Sequence, residues 1–148
     1  MGMDCYSCRQ GRTDAAELPP REHIGGDENW RLAHSFSTAL PGWLVLTPRR
    51  HVTTIADLTD DEAAGLGAWQ VRASRALHKV TGCEKTYVAQ FAEQEGFAHV
   101  HFHIVPRMPG LPEDHRGPGI FHYLAAPPTD HVPTTEMDRL SEALTTHL

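Results

Sequence analysis

His99-Val-His101-Phe-His103-Ile-Val105 alternates histidine with apolar residues along seven positions. A β-strand sends successive side chains to opposite faces. Read as a strand over 98–105, this stretch sets His99, His101 and His103 on one face and Val100, Phe102 and Ile104 on the other. Neighbouring histidines would then stand about 6.5–7 Å apart. One face suits a core, and the other carries imidazoles that titrate near neutrality. Folding alone does not explain such a row, because adjacent cations on a strand face repel. Two chemical readings compete: a mononuclear metal site built on His99 and His101, and nucleophilic catalysis by an imidazole. In the second, one ring nitrogen attacks phosphorus while the other gives its proton to a fixed acceptor. His101, flanked on both sides by possible partners, is the natural nucleophile.

The rest of the chain bounds these readings. Its 148 residues, 40% hydrophobic and 22% charged, suit one folded domain over 1–148 rather than a disordered chain. A net charge of −6 argues against general affinity for a nucleic-acid backbone and leaves a small anionic substrate open. No apolar run has the length of a membrane span, and the first residues lack the apolar core of a secretory signal, so a cytoplasmic protein is expected. Three cysteines, an odd number, argue against a disulfide framework. Cys5 and Cys8 read as metal ligands or free thiols; a redox pair would need a following helix, and the sequence shows none.

Residues 1–28 read as irregular. Strands are expected over 29–36, 43–47, 85–91 and 98–105, with Pro48 and Pro106 closing two of them. Thr59 and Glu62 form a capping-box pattern that opens a long helix over roughly 60–80, and Gly82 ends it. Residues 107–133 read as a surface loop, and 134–147 as a short helix with a threonine cap. The order suggests an α+β fold in which the last two strands form an antiparallel hairpin. Trp30, Trp43 and Trp69 read as core, and His34 and His122 as ordinary partly buried histidines.

The histidine row matches His-φ-His-φ-His-φ-φ, and in this respect the chain resembles the histidine triad (HIT) superfamily. A second block, Pro41-Gly-Trp-Leu-Val-Leu-Thr-Pro-Arg-Arg-His51-Val followed by Leu58-Thr-Asp-Asp-Glu62, is similar to that family's PGHxLVxPKRH and DLTxxE stretches. The resemblance spans roughly 5–107. It implies a HIT-like antiparallel sheet of about five strands with one long and one short C-terminal helix. It also implies a homodimer, and a nucleotide hydrolase or transferase acting at an α-phosphate. By position, His101 is the nucleophile, His103 meets the phosphate or leaving group, and His99 supports the site. The N-terminal Cys5-x-x-Cys8 is similar to the zinc-binding branch, which implies a structural zinc held by Cys5, Cys8, His51 and His99.

The chain departs from the family around the phosphate and the ribose. Where many members carry a glutamine and then a serine or threonine before the triad, this chain has Glu95 and Gly96. An acidic residue that often holds the ribose corresponds to Ser35. Arg107 is a further candidate for a distal phosphate. The rivals are a metal-dependent enzyme using His99 and His101 as ligands, and a non-catalytic nucleotide-binding protein.

Overall fold

The apolar run expected over 43–47 lies at the centre of the sheet as strand β3 (Leu44–Pro48). The structure, a computed structural model, describes residues 5–148; residues 1–4 of the N-terminal segment lie outside the described residues. The other strands are β1 (Gly25–Gly26), β2 (Trp30–His34), β4 (Lys85–Ala89) and β5 (Phe102–Arg107). They form a five-stranded antiparallel sheet in the order β1-β2-β3-β5-β4. The helices are α1 (Tyr6–Arg12), α2 (Asp60–Thr81) and α3 (Thr134–Thr145).

The α+β reading holds. Helix α2 begins at the expected capping box, with Thr59 Oγ1 accepting from Glu62 N at 3.1 Å and Glu62 Oε1 accepting from Thr59 N at 2.8 Å. It ends at Gly82, whose φ of 73° is the left-handed cap. Trp69, Ala73, Ala76 and Leu77 bury one face of α2 against the sheet, where Leu32, Leu44, Leu46, Phe102 and Ile104 meet it. Burying each large side chain contributes about 1.5–3 kcal/mol. The intervening residues Arg31, Ala33, Val45, Thr47 and His103 point to the opposite face and line a cavity. Period-two alternation thus assigns one side of the sheet to the core and the other to the site.

Five local expectations change. The histidine strand begins at Phe102, not at 98. The β3–β5 ladder ends at Leu46↔Phe102, and continuing the register past Thr47 and His101 would oppose Val100 to Pro48. Proline has no N–H to give, so the ladder stops there. Val100 N donates instead to Val52 O at 2.8 Å. Pro106, expected to end this strand, lies within it and pairs with Thr86 of β4. The ladder to β3 has already ended at Leu44↔Ile104, so on that side its missing N–H forfeits nothing.

The N-terminal segment, read as irregular, carries α1, capped by Cys5, whose Sγ accepts from Cys8 N at 3.4 Å. This seven-residue helix buries little beyond Cys8, so it leaves no apolar periodicity to read. The threonine cap of α3 is absent. Pro133 holds the cap position, and its carbonyl accepts from Glu136 N and Met137 N, each at 3.0 Å.

The segment read as a loop over 107–133 begins inside β5 and carries three 3-10 turns, among them Gly117–Tyr123, which buries Ile120 against Leu40, Trp43 and Val105. Glycine is required there: a Cβ on Gly119 would lie 2.0 Å from Asp114 O. Among the described residues no helix is long and apolar enough to cross a membrane.

Candidate functional site

The three histidines are each held by a different partner, and the partner decides which ring nitrogen carries the proton. A carbonyl oxygen only accepts, and an indole N–H only donates. His101 Nδ1 lies 2.8 Å from the His99 carbonyl, so Nδ1 carries the hydrogen and Nε2 the lone pair. His99 Nε2 lies 2.7 Å from Pro48 O, which puts its hydrogen on Nε2 and turns the lone pair of Nδ1 the other way. Trp43 Nε1 donates to His103 Nδ1 at 2.9 Å, leaving the His103 hydrogen on Nε2. Trp43, read as core, is fully buried and also sets this tautomer.

His101 and His103 are neighbours, with ring centroids 5.0 Å apart, and both line the cavity. Its volume is about 350 Å³, within the range of small-ligand sites. Burial, and then the His101 charge, lowers the pKa of His103 to about 4. His103 is therefore a neutral hydrogen-bond donor at neutral pH, not an imidazolium. A nucleophile needs a lone pair and a fixed tautomer, and His101 has both.

His99 leaves the row. It is buried and faces Cys5, Cys8 and His51. His99 Nδ1 lies 3.4 Å from Cys5 Sγ, 3.5 Å from Cys8 Sγ and 3.2 Å from His51 Nδ1. Cys8 Sγ lies 3.3 Å from His51 Nδ1, and all four atoms fall within 4.8 Å of one another. A tetrahedral zinc ion with Zn–S of about 2.3 Å and Zn–N of about 2.0–2.1 Å sets its ligand atoms about 3.3–3.8 Å apart. Burial holds the Cys8 thiol above its ordinary pKa and His99 below its own. Two converging imidazole lone pairs and buried thiols fit a cation at their centre. The Pro48 carbonyl orients His99 as an outer-shell partner does in metal sites.

Residues 18–110 match the HIT domain family. The chain belongs to the HIT domain family. Its fold is similar to that of a zinc-bound histidine triad family protein from Mycobacterium smegmatis, with a TM-score of 0.70, 24% identity, and coverage of 99% of this chain and 96% of that one. A histidine triad protein from Bradyrhizobium japonicum is 27% identical at a TM-score of 0.68, covering 84% of this chain and 88% of that one. A hypothetical histidine triad nucleotide-binding protein from Sulfolobus tokodaii has a TM-score of 0.71 at 16% identity, covering 97% of this chain and 91% of that one. No curated protein matches the chain.

The other HIT candidates divide. Ser35 lines the cavity, its Oγ accepting from Ser37 N at 3.3 Å. Glu95 and Gly96 do not line it; Glu93 and Gln94 do. Gly96, at φ 84°, serves the turn that carries Gln94. Arg107 sits at the far end of β5, paired with Glu84 at 2.5 Å and away from the cavity. Phe121 and Leu124, from the segment read as a surface loop, complete one wall. Phe121 packs edge-on against both Trp43 and His103. The packed Gly117–Tyr123 turn has no helical or strand periodicity, so the sequence carries no signal for that wall.

The tautomer and pKa of His103 are measurable. Histidine in an unfolded chain titrates at about 6.5. With the folded value near 4, the unfolded chain binds the proton first as pH falls. Stability from this residue is therefore full above pH ~6.5 and is lost progressively toward pH 4. Urea unfolding is expected to show the wild type losing about 2 kcal/mol more than His103→Asn between pH 7 and pH 5. Equal losses would refute the assignment.

Proposed function

We propose that this HIT protein cleaves a nucleoside phosphate derivative at its α-phosphorus through a nucleotidyl-His101 intermediate. The leaving group is attached by a phosphoanhydride or phosphoramidate bond. One observation carries the reading. The His101 Nδ1–H bond to the His99 carbonyl, at 2.8 Å, leaves Nε2 with its lone pair and no protein partner among the described residues, on a side chain that lines the cavity. His101 Nε2 attacks phosphorus and the bond to the leaving group breaks. Water then attacks the same phosphorus, releasing the nucleoside monophosphate and restoring the lone pair. His103 Nε2–H donates a hydrogen bond to a phosphate or leaving-group oxygen. With its pKa near 4 it does so as a neutral ring. Ser35 contributes a hydroxyl to the lining of the same cavity.

Cys5, Cys8, His51 and His99 would hold a zinc ion, and the zinc-bound relative supports that reading. Four protein ligands close a tetrahedral site, so the ion's contribution is structural: it ties α1 to the sheet. The chemistry at phosphorus belongs to His101 and His103. This separates the proposal from a metal-dependent enzyme, in which His99 and His101 would share one ion.

A homodimer fits the free edge of the sheet. β4 ends the strand order, and Val88 on it and Val71 on α2 are about half exposed. An unpaired apolar edge is a template for another strand. A second copy meets it by two-fold antiparallel pairing.

His101→Ala is expected to lower hydrolysis of nucleoside 5′-phosphoramidates and dinucleoside polyphosphates by at least about a thousandfold. Mass spectrometry of quenched wild type should find a nucleotidyl adduct that the variant lacks. Activity surviving the substitution would end the nucleophile assignment, and an inactive wild type that still binds nucleotide would favour the non-catalytic reading. Elemental analysis should find zinc bound to wild type and to His101→Ala but lost from Cys8→Ser, with a lower melting temperature; zinc lost from His101→Ala would favour the catalytic-metal rival. Light scattering should give twice the chain mass for wild type and a monomer for Val88→Lys, and a monomeric wild type would exclude the dimer.

A further inference from the structure

The proposed chemistry leaves the far end of the cavity without a role, and that end carries a buried charge. Arg31 of β2 is in register with Thr47 of β3. Continuing the β3–β5 register from Val45↔His103 sets Thr47 level with His101. Arg31, Thr47 and His101 thus lie along one row across the cavity face, and two strand spacings put Arg31 about 10 Å from the nucleophile.

The Arg31 side chain is 4% exposed, a costly place for a cation. Among the described residues it makes one side-chain hydrogen bond, from Nη1 to the Glu22 carbonyl at 2.6 Å, and no ion pair with a carboxylate. A guanidinium has five N–H donors in a planar fork, so most of this fork has no protein partner. Arg31 lines the cavity. Glu22, equally buried, lines it as well. Its Oε2 accepts from the Tyr6 hydroxyl and from Gln10 Nε2, and its Oε1 takes no donor among the described residues. Burial and Glu22 raise the Tyr6 pKa, which keeps the hydroxyl a donor. Tyr6, Phe36 and Phe97 form an aromatic cluster beside this pair, with Tyr6 and Phe36 centroids 4.9 Å apart. Phe36 is half exposed at the cavity. A fork of donors, a carboxylate acceptor and an aromatic wall together suit a planar heterocycle that carries both acceptors and donors on one edge.

We infer that Arg31 and Glu22 read the base of the nucleotide and that the base they select is guanine. The inference rests on the reading that the cavity holds a nucleotide with its α-phosphate at His101. Guanine presents two acceptors, N7 and O6, followed by two donors, N1–H and the N2 amino group. Arginine pairs with N7 and O6 through two parallel N–H bonds. A carboxylate beside it accepts from N1–H and N2–H. Adenine puts its N6 amino donor where guanine has O6, so it turns a donor toward the guanidinium and leaves buried groups unpaired. A site built to hydrogen-bond a substrate rejects an analogue that cannot make those bonds. If Arg31 only ties the Glu22 segment to β2, its loss lowers activity on every base alike.

The test compares guanosine and adenosine 5′-phosphoramidate as substrates, and guanosine and adenosine 5′-monophosphate as calorimetric ligands, for wild type, Arg31→Met and Glu22→Gln. Wild type is expected to favour guanosine in kcat/KM by at least about tenfold. In both variants the guanosine-to-adenosine ratio should collapse to within about threefold, whatever the absolute rate. Glu22→Gln keeps the side-chain shape and serves if Arg31→Met does not fold. A wild type that treats both bases alike, that prefers adenosine, or whose preference survives both substitutions overturns the inference and leaves the hydrolase reading standing. If wild type cleaves neither substrate, the hydrolase reading fails and binding decides. Tighter guanosine monophosphate in wild type, lost in the variants, supports the inference; equal or absent binding of the two monophosphates overturns it.

Discussion

His99 is fixed at both ring nitrogens and at its carbonyl, and the site is assembled around those three attachments. Nε2 donates to Pro48 O, Nδ1 faces Cys5, Cys8 and His51, and the carbonyl accepts from His101 Nδ1. The first attachment joins the residue to the end of β3. The second brings α1 against the sheet. The third sets the tautomer of His101, the proposed nucleophile. A histidine that looks like one member of a row is therefore the joint between the sheet, the N-terminal helix and the cavity.

The same economy of partners governs the other two histidines. Each ring uses one nitrogen for structure and keeps one for the cavity. His101 donates its Nδ1–H to a carbonyl and keeps a lone pair; His103 accepts a hydrogen bond from the Trp43 N–H and keeps its own N–H. Two imidazoles with centroids 5.0 Å apart thus present opposite hydrogen-bonding character to one cavity. Burial, which holds His103 neutral, prevents the pair from carrying two positive charges side by side. At the other end of the cavity, Arg31 and Glu22 present a donor and an acceptor in the same way.

Much of this architecture was legible in the residues. The helix from Thr59 to Gly82 was written in its caps, because capping chemistry is local. The central strand was visible as an apolar run, and the alternation of histidine with Val100, Phe102 and Ile104 held even where the strand itself did not form. The HIT resemblance named the residues that the structure gathers into the Cys5, Cys8, His51 and His99 cluster. Other parts were not legible. Helix α1 has almost no apolar face, and the Gly117–Tyr123 wall has no periodicity. Trp43 looked like any core tryptophan, because a polar contact through one indole N–H leaves no trace in a pattern.

By itself the sequence determined the α+β class, the long capped helix, the two faces of the sheet and the candidate histidines and cysteines that gather at the cavity and in the Cys5, Cys8, His51 and His99 cluster. Those are consequences of local propensity and of period-two alternation, which act over a few neighbouring residues. Only the tertiary structure decided which ring nitrogen of each histidine carries the proton, that Arg107 lies away from the cavity, and that Arg31 and Glu22 lie within it. Which nitrogen carries a proton, and whether a charge meets a partner or an open cavity, depends on groups such as Pro48, Trp43 and Glu22. Pro48 and Trp43 lie 51 and 60 residues from the histidines they hold, and Glu22 lies nine from Arg31; they come within a hydrogen bond of these partners only when the sheet forms.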